Sequence, residues 1–163
     1  SFFTHIIVSC DLDKTMNYLS EDKKQKLEMK RTSFCAFIRF LLEKGVDPNK
    51  PDAFGVYPFQ YAITNRIFLF VNELIQSGTI DYSMRKINID EIKNGTYLHL
   101  AAFSNLTIVK KLVSLGVFDI SMTDDLQQTP LSIASEKAQI DKSLMKFSDA
   151  SFIFDYLSRY NTK

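Results

Sequence analysis

The chain has 163 residues, which is enough for one domain of ordinary size with a continuous core. Its 20 basic and 19 acidic residues leave a net charge of +1, so no overall field favours nucleic acid, a membrane surface or an acidic ligand. No apolar run approaches the roughly 20 residues that span a bilayer. These totals predict neither a nucleic-acid partner nor insertion into a membrane.

The two cysteines, Cys10 and Cys35, form neither a C-x-x-C pair nor a dense framework. Because sparse cysteines of this kind are typical of a reducing compartment, a cytoplasmic or nuclear location is predicted. Both occupy small or apolar helix positions, which favours buried thiols over nucleophiles or a disulfide. The chain opens with Ser1 rather than Met, so we expect a fragment of something longer, and we expect that fragment to be monomeric.

The first predicted helices lie at residues 4–10 and 37–42, and the second of them stops at Gly45. Glycine suits such a stop because it adopts the left-handed turn without a steric penalty. The two helices are separated by the charged residues 11–33, which are interpreted as a solvated extension or a disordered loop.

Three more copies of this helix–turn–helix unit follow in chain order, at residues 52–78, 96–116 and 124–157. The acidic turn residues Asp52, Glu91 and Asp124 recur at a period within the range of about 20–50 residues that marks a repeat array. Two connections are longer than the period requires. Residues 79–90 are predicted to protrude as a loop, and residues 137–148 form an insertion inside the last unit.

Particular motifs connect these units with a known family. Thr129-Pro130-Leu131, Thr96-Tyr97-Leu98-His99-Leu100-Ala101 and Gly45-Val46-Asp47-Pro48-Asn49 resemble the opening and exit signatures of ankyrin repeats. The resemblance covers nearly the whole chain. It implies an all-α solenoid of helix–turn–helix units with no sheet beyond short hairpins. It also implies a single domain, 1–163, with four repeats at approximately 1–49, 50–84, 85–122 and 123–163.

His99 poses the main chemical question, because a lone histidine among leucines is either a buried catalytic or metal-binding imidazole or a structural group. The recurrence of its surroundings favours a hydrogen-bonding strut that bridges loop backbone between neighbouring repeats. His5 falls in the proline slot of the first copy and is a weaker candidate still.

Other candidate sites have structural interpretations. The acidic pairs at residues 11 and 13 and at residues 124 and 125 have no further ligand at a metal-site or catalytic spacing. Asp124 is predicted to cap its turn, and Lys110 and Lys111 are predicted to form a solvated helix face. Glycine-rich phosphate loops and nucleophile or zinc motifs are absent from the sequence. We therefore predict no catalytic residue, no metal, no cofactor and no enzymatic activity in this chain.

The resemblance implies that another protein is the partner, since most ankyrin arrays hold a protein on a concave surface of hairpin tips and first helices. In the family, the variable contact positions follow the acidic residue of each turn and the alanine of the opening signature. Ala53 and Gly95 occupy two of these positions. The predicted partner-binding residues are Phe54, Val56, Thr64, Ile92, Lys93, Phe103, Asp125, Leu126, Gln128 and Glu136.

Several of these slots are apolar although such slots normally face water, and an exposed apolar stripe marks an interaction site. The alternative is that the apolar side chains fold back onto neighbouring hairpins. Two other functional readings stay open. In the first, the chain is the targeting arm of a larger enzyme, for example a secreted effector acting in a host cytosol. In the second, it is a scaffold packed against its own missing domains.

Overall fold

A computed structural model describes residues 20–83, 87–144 and 148–160. The helix predicted at residues 4–10, with His5 and Cys10, lies outside the described residues. Contacts within the chain divide it into two compact units, Ser1–Ile80 and Asp81–Lys163. Each unit is described by itself, and the grouping of all repeats into a single domain stays a prediction.

The first unit contains three described helices. They are α1 (Glu21–Glu43), α2 (Pro58–Thr64) and α3 (Phe68–Ser77), and α3 packs against both of the others. Pro58 occupies the first position of α2, where a missing N–H costs nothing, and the Gln60 side chain accepts a hydrogen bond from Tyr57 N at 3.4 Å. Gly78 ends α3 in the left-handed conformation, as expected of a repeat's exit turn.

The second unit consists of a hairpin followed by two helix pairs. Strands β1 (Ile87–Ile89) and β2 (Ile92–Gly95) pair antiparallel and form the one sheet among the described residues. They are followed by α4 (Tyr97–Ser104), α5 (Leu106–Ser114), α6 (Pro130–Ser143) and α7 (Ala150–Ser158). Thr96 and Thr129 cap α4 and α6 through their hydroxyl oxygens, so these two predicted slots open the third and fourth repeats.

Small residues at recurring positions of the first helices are buried. Ala62, Ala101, Ala102 and Ala134 have no exposed surface, and α4 packs directly against α6. Leucine, valine and isoleucine side chains of the second helices, such as Leu74 and Val109, complete the core of each unit. Side chains larger than alanine at these positions would separate the first helices of adjacent repeats.

Both expected insertions within repeats turn out to be partly helical. Residues 21–33 belong to α1 rather than to a disordered loop, and their side chains are mostly exposed, which confirms the alternative of a solvated extension. Likewise, α6 continues to Ser143 and so includes the first half of the predicted insertion. The acidic residues Glu21 and Asp22 begin α1, which favours a helix there through the helix dipole.

The starts of α5 and α7 are linked by side chains. Asn105 caps α5 by accepting hydrogen bonds from Thr107 N and Ile108 N at 2.9 and 3.2 Å. Asp149, at the N-cap of α7, in turn accepts from Asn105 Nδ2 and from Leu106 N, both at 3.1 Å. The last helix pair therefore supplies part of the cap for the preceding pair.

Candidate partner-binding groove

The turn before α6 is built around one buried carboxylate. Asp124 Oδ1 accepts hydrogen bonds from Leu126 N and Gln128 N, both at 2.9 Å. Gln127, inside this turn, has a left-handed backbone with φ of 61°. The prediction that Asp124 caps its turn is confirmed. By fixing both amides, the carboxylate also sets where the Leu126 and Gln128 side chains emerge.

The same turn is fastened to the hairpin of the preceding repeat. Asp124 Oδ2 accepts from Lys93 N at 3.1 Å, and Asp125 N donates to Lys93 O at 2.8 Å. Asn94 Nδ2 also donates to Asp125 Oδ2 at 2.5 Å. Consecutive turns are thus held at a fixed spacing, so the side chains around them form a stable surface.

His99 completes this connection from inside the core. Its ring is fully buried, Thr96 N donates to Nδ1 at 3.1 Å, and Nε2 lies 3.0 Å from Gln128 O. Since Nδ1 accepts from a backbone N–H, the neutral ring bears its proton on Nε2 and donates it to Gln128 O. The interpretation of His99 as a strut between repeats is confirmed.

A groove of about 170 Å³ lies beside this turn, between the hairpin and α6. Ile133 is buried at its base, while Phe103 is half-buried and Leu126 is 49% exposed. The residues that line the groove are Glu91, Phe103, Leu126, Gln128, Ile133, Glu136, Lys137 and Ile140. Its volume is close to that of the cavity of about 150 Å³ that holds one benzene ring in another protein.

Four of the predicted partner-binding residues meet in this groove, namely Phe103, Leu126, Gln128 and Glu136. Lys93 and Asp125 are exposed on the adjoining turns. One slot read from the third repeat and three read from the fourth therefore converge on one place. Their role in binding a partner stays a prediction.

Ile92 does not belong to that surface, and its expected exposure is wrong. Its side chain has 0% exposure because residues 87–89 add a strand beside it, with Ile89 paired to Ile92. The pairing turns Ile92 inward against Gly95, whose missing side chain leaves room for the isoleucine. The long connection predicted to protrude is thus partly a strand.

The three predicted contacts of the first unit differ in exposure. Phe54 is 92% exposed, Thr64 is exposed and Val56 is half-buried. Asp52 Oδ1 accepts from Phe54 N at 2.9 Å and from Val56 N at 3.0 Å, repeating the arrangement around Asp124. The alternative that these side chains fold back onto the hairpin is wrong for Phe54.

Four lining residues were missed by reasoning from the sequence. They are Glu91, Ile133, Lys137 and Ile140. The last three share with the predicted contact Glu136 the i, i+3, i+4, i+7 spacing of one helix face. The helical spacing was available as a signal. It was overlooked because the first helix of the last repeat was expected to end near residue 136.

A larger cleft of about 420 Å³ lies between α1 and α3 in the first unit. It is lined by an ion pair in which Arg39 Nε and Nη2 donate to the two Glu73 oxygens at 2.6 and 2.7 Å.

This hydrogen bonding lowers the pKa of Glu73, and burial raises the pKa of the nearby Cys35 thiol. The prediction of a buried thiol is confirmed for Cys35. Since both charges neutralise one another, the cleft is assigned a structural role.

Within residues 20–83, 87–144 and 148–160, no three His, Cys, Asp or Glu side chains are grouped as metal ligands. In the same part of the chain, no helix has both the length and the apolar character needed to cross a bilayer. Lys110 is exposed, with its ammonium 5.6 Å from the centre of the Tyr156 ring.

Paired short helices, glycine exits and carboxylate-capped turns define a helical-repeat protein. A family model described as ankyrin repeats, in three copies, matches residues 29–124, more than half of the chain. The chain belongs to the ankyrin repeat family. No curated protein matches it. The family match stops at the fourth predicted turn, and the helices α6 and α7 beyond it form the last pair.

Proposed function

We propose that the chain binds another protein through the groove between its last two repeats. Ankyrin repeats are generally modules for protein–protein interaction. The observation that supports this location is the convergence of Phe103, Leu126, Gln128 and Glu136 on one groove. An apolar patch with a polar rim, fixed by a hydrogen-bonded turn, needs little ordering when a partner binds.

The exposure of Leu126 supports the same location. The family's turn places a residue at the slot of Leu126 on the surface, where a polar side chain would cost nothing. Instead the slot holds a leucine that is 49% exposed, and Ile140 across the groove is also largely exposed. Burying two such side chains against a partner is favourable by about 25 cal/mol per Å² of apolar surface.

The test compares variants on the same binders. Fragments of natural proteins displayed as a library are selected on the wild-type chain, and the dissociation constants of the selected fragments are measured. Leu126→Ala and Phe103→Ala are expected to weaken binding by about tenfold or more, as central apolar anchors do. Phe152→Ala is the matched control, because Phe152 is exposed on α7 and does not line the groove.

The proposal fails if the control weakens binding as much as Leu126→Ala does, or if neither groove variant changes any dissociation constant. Melting temperatures are measured on the same samples. Phe103 is half-buried, so Phe103→Ala can also lower the stability of the chain. Its loss of affinity supports the proposal only where it is larger than the drop in melting temperature explains.

A further inference from the structure

The groove has an acidic rim whose charges are not balanced among the described residues. Glu91 and Glu136 both line the groove and are exposed, and neither forms an ion pair with another described residue. Glu136 accepts one hydrogen bond, from Gln128 Nε2 at 3.2 Å. Two carboxylates beside an apolar cleft favour a cation at its entrance.

The cation among the lining residues does not neutralise these acids. Lys137 Nζ lies 3.4 Å from Asp141 Oδ1 and 5.0 Å from the centre of the Phe103 ring. Its charge is therefore already shared between a carboxylate on its own helix and an aromatic face. Among the residues that line the groove, two carboxylates therefore stand against one ammonium that is engaged elsewhere.

We infer that the groove binds a short extended segment of the partner, an inference that rests on the proposed function. In this segment a large apolar side chain is adjacent to Lys or Arg. The apolar side chain fills the cleft between Phe103 and Leu126. The basic residue faces Glu91 and Glu136. The volume admits one side chain of leucine or phenylalanine size.

The test uses a displayed library of random short peptides selected on the full chain. We expect the enriched peptides to place an apolar residue next to Lys or Arg. Glu136→Lys is expected to weaken the enriched peptides by about tenfold, and raised salt to weaken binding to the wild type. Asp155→Lys is the control, since it makes the same charge change on an exposed residue of α7 outside the groove.

The outcomes separate the two proposals. One outcome is that the enriched peptides bind Leu126→Ala more weakly, yet contain no basic residue and bind Glu136→Lys as well as the wild type. That result overturns the inference and leaves the proposed function standing. A library with no enrichment overturns a short segment as the occupant. Fragment binders insensitive to Leu126→Ala and Phe103→Ala overturn the proposed function itself.

Discussion

The Nε2 atom of His99 donates across 3.0 Å to the main-chain oxygen of Gln128, whose side chain lines the groove. The same oxygen accepts from Asp124 N at 2.9 Å. A buried ring in one repeat thereby positions a surface turn in the next. Under the proposed function, stability and binding are therefore linked at this bond.

Replacing His99 with alanine is expected to lower the free energy of unfolding by about 1–3 kcal/mol, because Gln128 O loses a donor and Thr96 N loses an acceptor in a buried site. Chemical denaturation measures the loss. His99→Gln is the companion variant, since an amide retains one donor and one acceptor. Unchanged stability together with lost binding would contradict the role of a strut.

Gln127→Gly is expected to stabilise the chain by about 1 kcal/mol. Gln127 has a φ of 61°, and its slot corresponds to Gly55 and Asn94, which have φ of 78° and 50°. A residue with a Cβ atom pays about 1–2 kcal/mol in the left-handed region, a cost that glycine avoids.

The control for this variant makes the same substitution in a right-handed backbone. Gln139 is exposed in α6, so Gln139→Gly should instead destabilise by about 1 kcal/mol, the ordinary helix cost of glycine. Thermal unfolding of both variants gives the comparison. If both substitutions destabilise the chain, strain at Gln127 is not the reason.

Gly95→Ala is expected to destabilise the second unit by about 1–3 kcal/mol through overpacking. An added methyl group would overlap Ile92 Cγ2 and lie 3.3 Å from His99 Cβ, and both neighbours are fully buried. Adding Ile92→Ala should recover part of the loss, so the two substitutions should not be additive in denaturation experiments. Strict additivity would show that the crowding is relieved elsewhere.

The ion pair of Arg39 and Glu73 predicts a defined dependence on pH. Hydrogen bonding to Arg39 lowers the pKa of Glu73 in the folded chain, so its stabilisation is present above the unfolded value of about 4.3 and is lost as the pH falls through the folded pKa. Arg39→Gln should lower the melting temperature by several degrees near neutral pH. The difference from the wild type should shrink as the pH falls below about 4.

Asp155→Asn is the control for that titration, because it removes an exposed carboxylate from α7, in the other unit, that forms no ion pair with Arg39. Urea denaturation at several pH values gives the stability of each variant. A difference between Arg39→Gln and the wild type that grows as the pH falls would contradict the assigned direction.

The sequence predicted the repeat fold because the fold depends on local signals repeated in register. Thr129 and Pro130 begin a helix, Gly78 ends one, and Ala101 and Ala102 permit close packing wherever they recur. Such preferences act within a few residues and are visible in a single chain. The strut at His99 was predictable for the same reason.

The groove was only partly predictable because its walls depend on departures from the repeat. Residues 87–89 add a strand that buries Ile92, and the continuation of α6 brings Ile140 beside Phe103. Both features lie in residues that are additional to the length of the family's repeat. At such residues, the family's contact positions do not indicate which way a side chain faces.

The link from Asp149 to Asn105 and Leu106 bears on how such an array can be recombined. The first amide of the second helix in one pair donates to an acidic residue of the next pair, as Leu106 N does to Asp149. Any helix pair placed after α5 must therefore supply such an acceptor. Ending the chain before Asp149 would therefore leave the start of α5 short of an acceptor, although every residue of that helix is retained. The unit that can be exchanged intact includes the acidic residue of its neighbour, so repeat boundaries drawn from the sequence period are not the boundaries at which this chain can be cut.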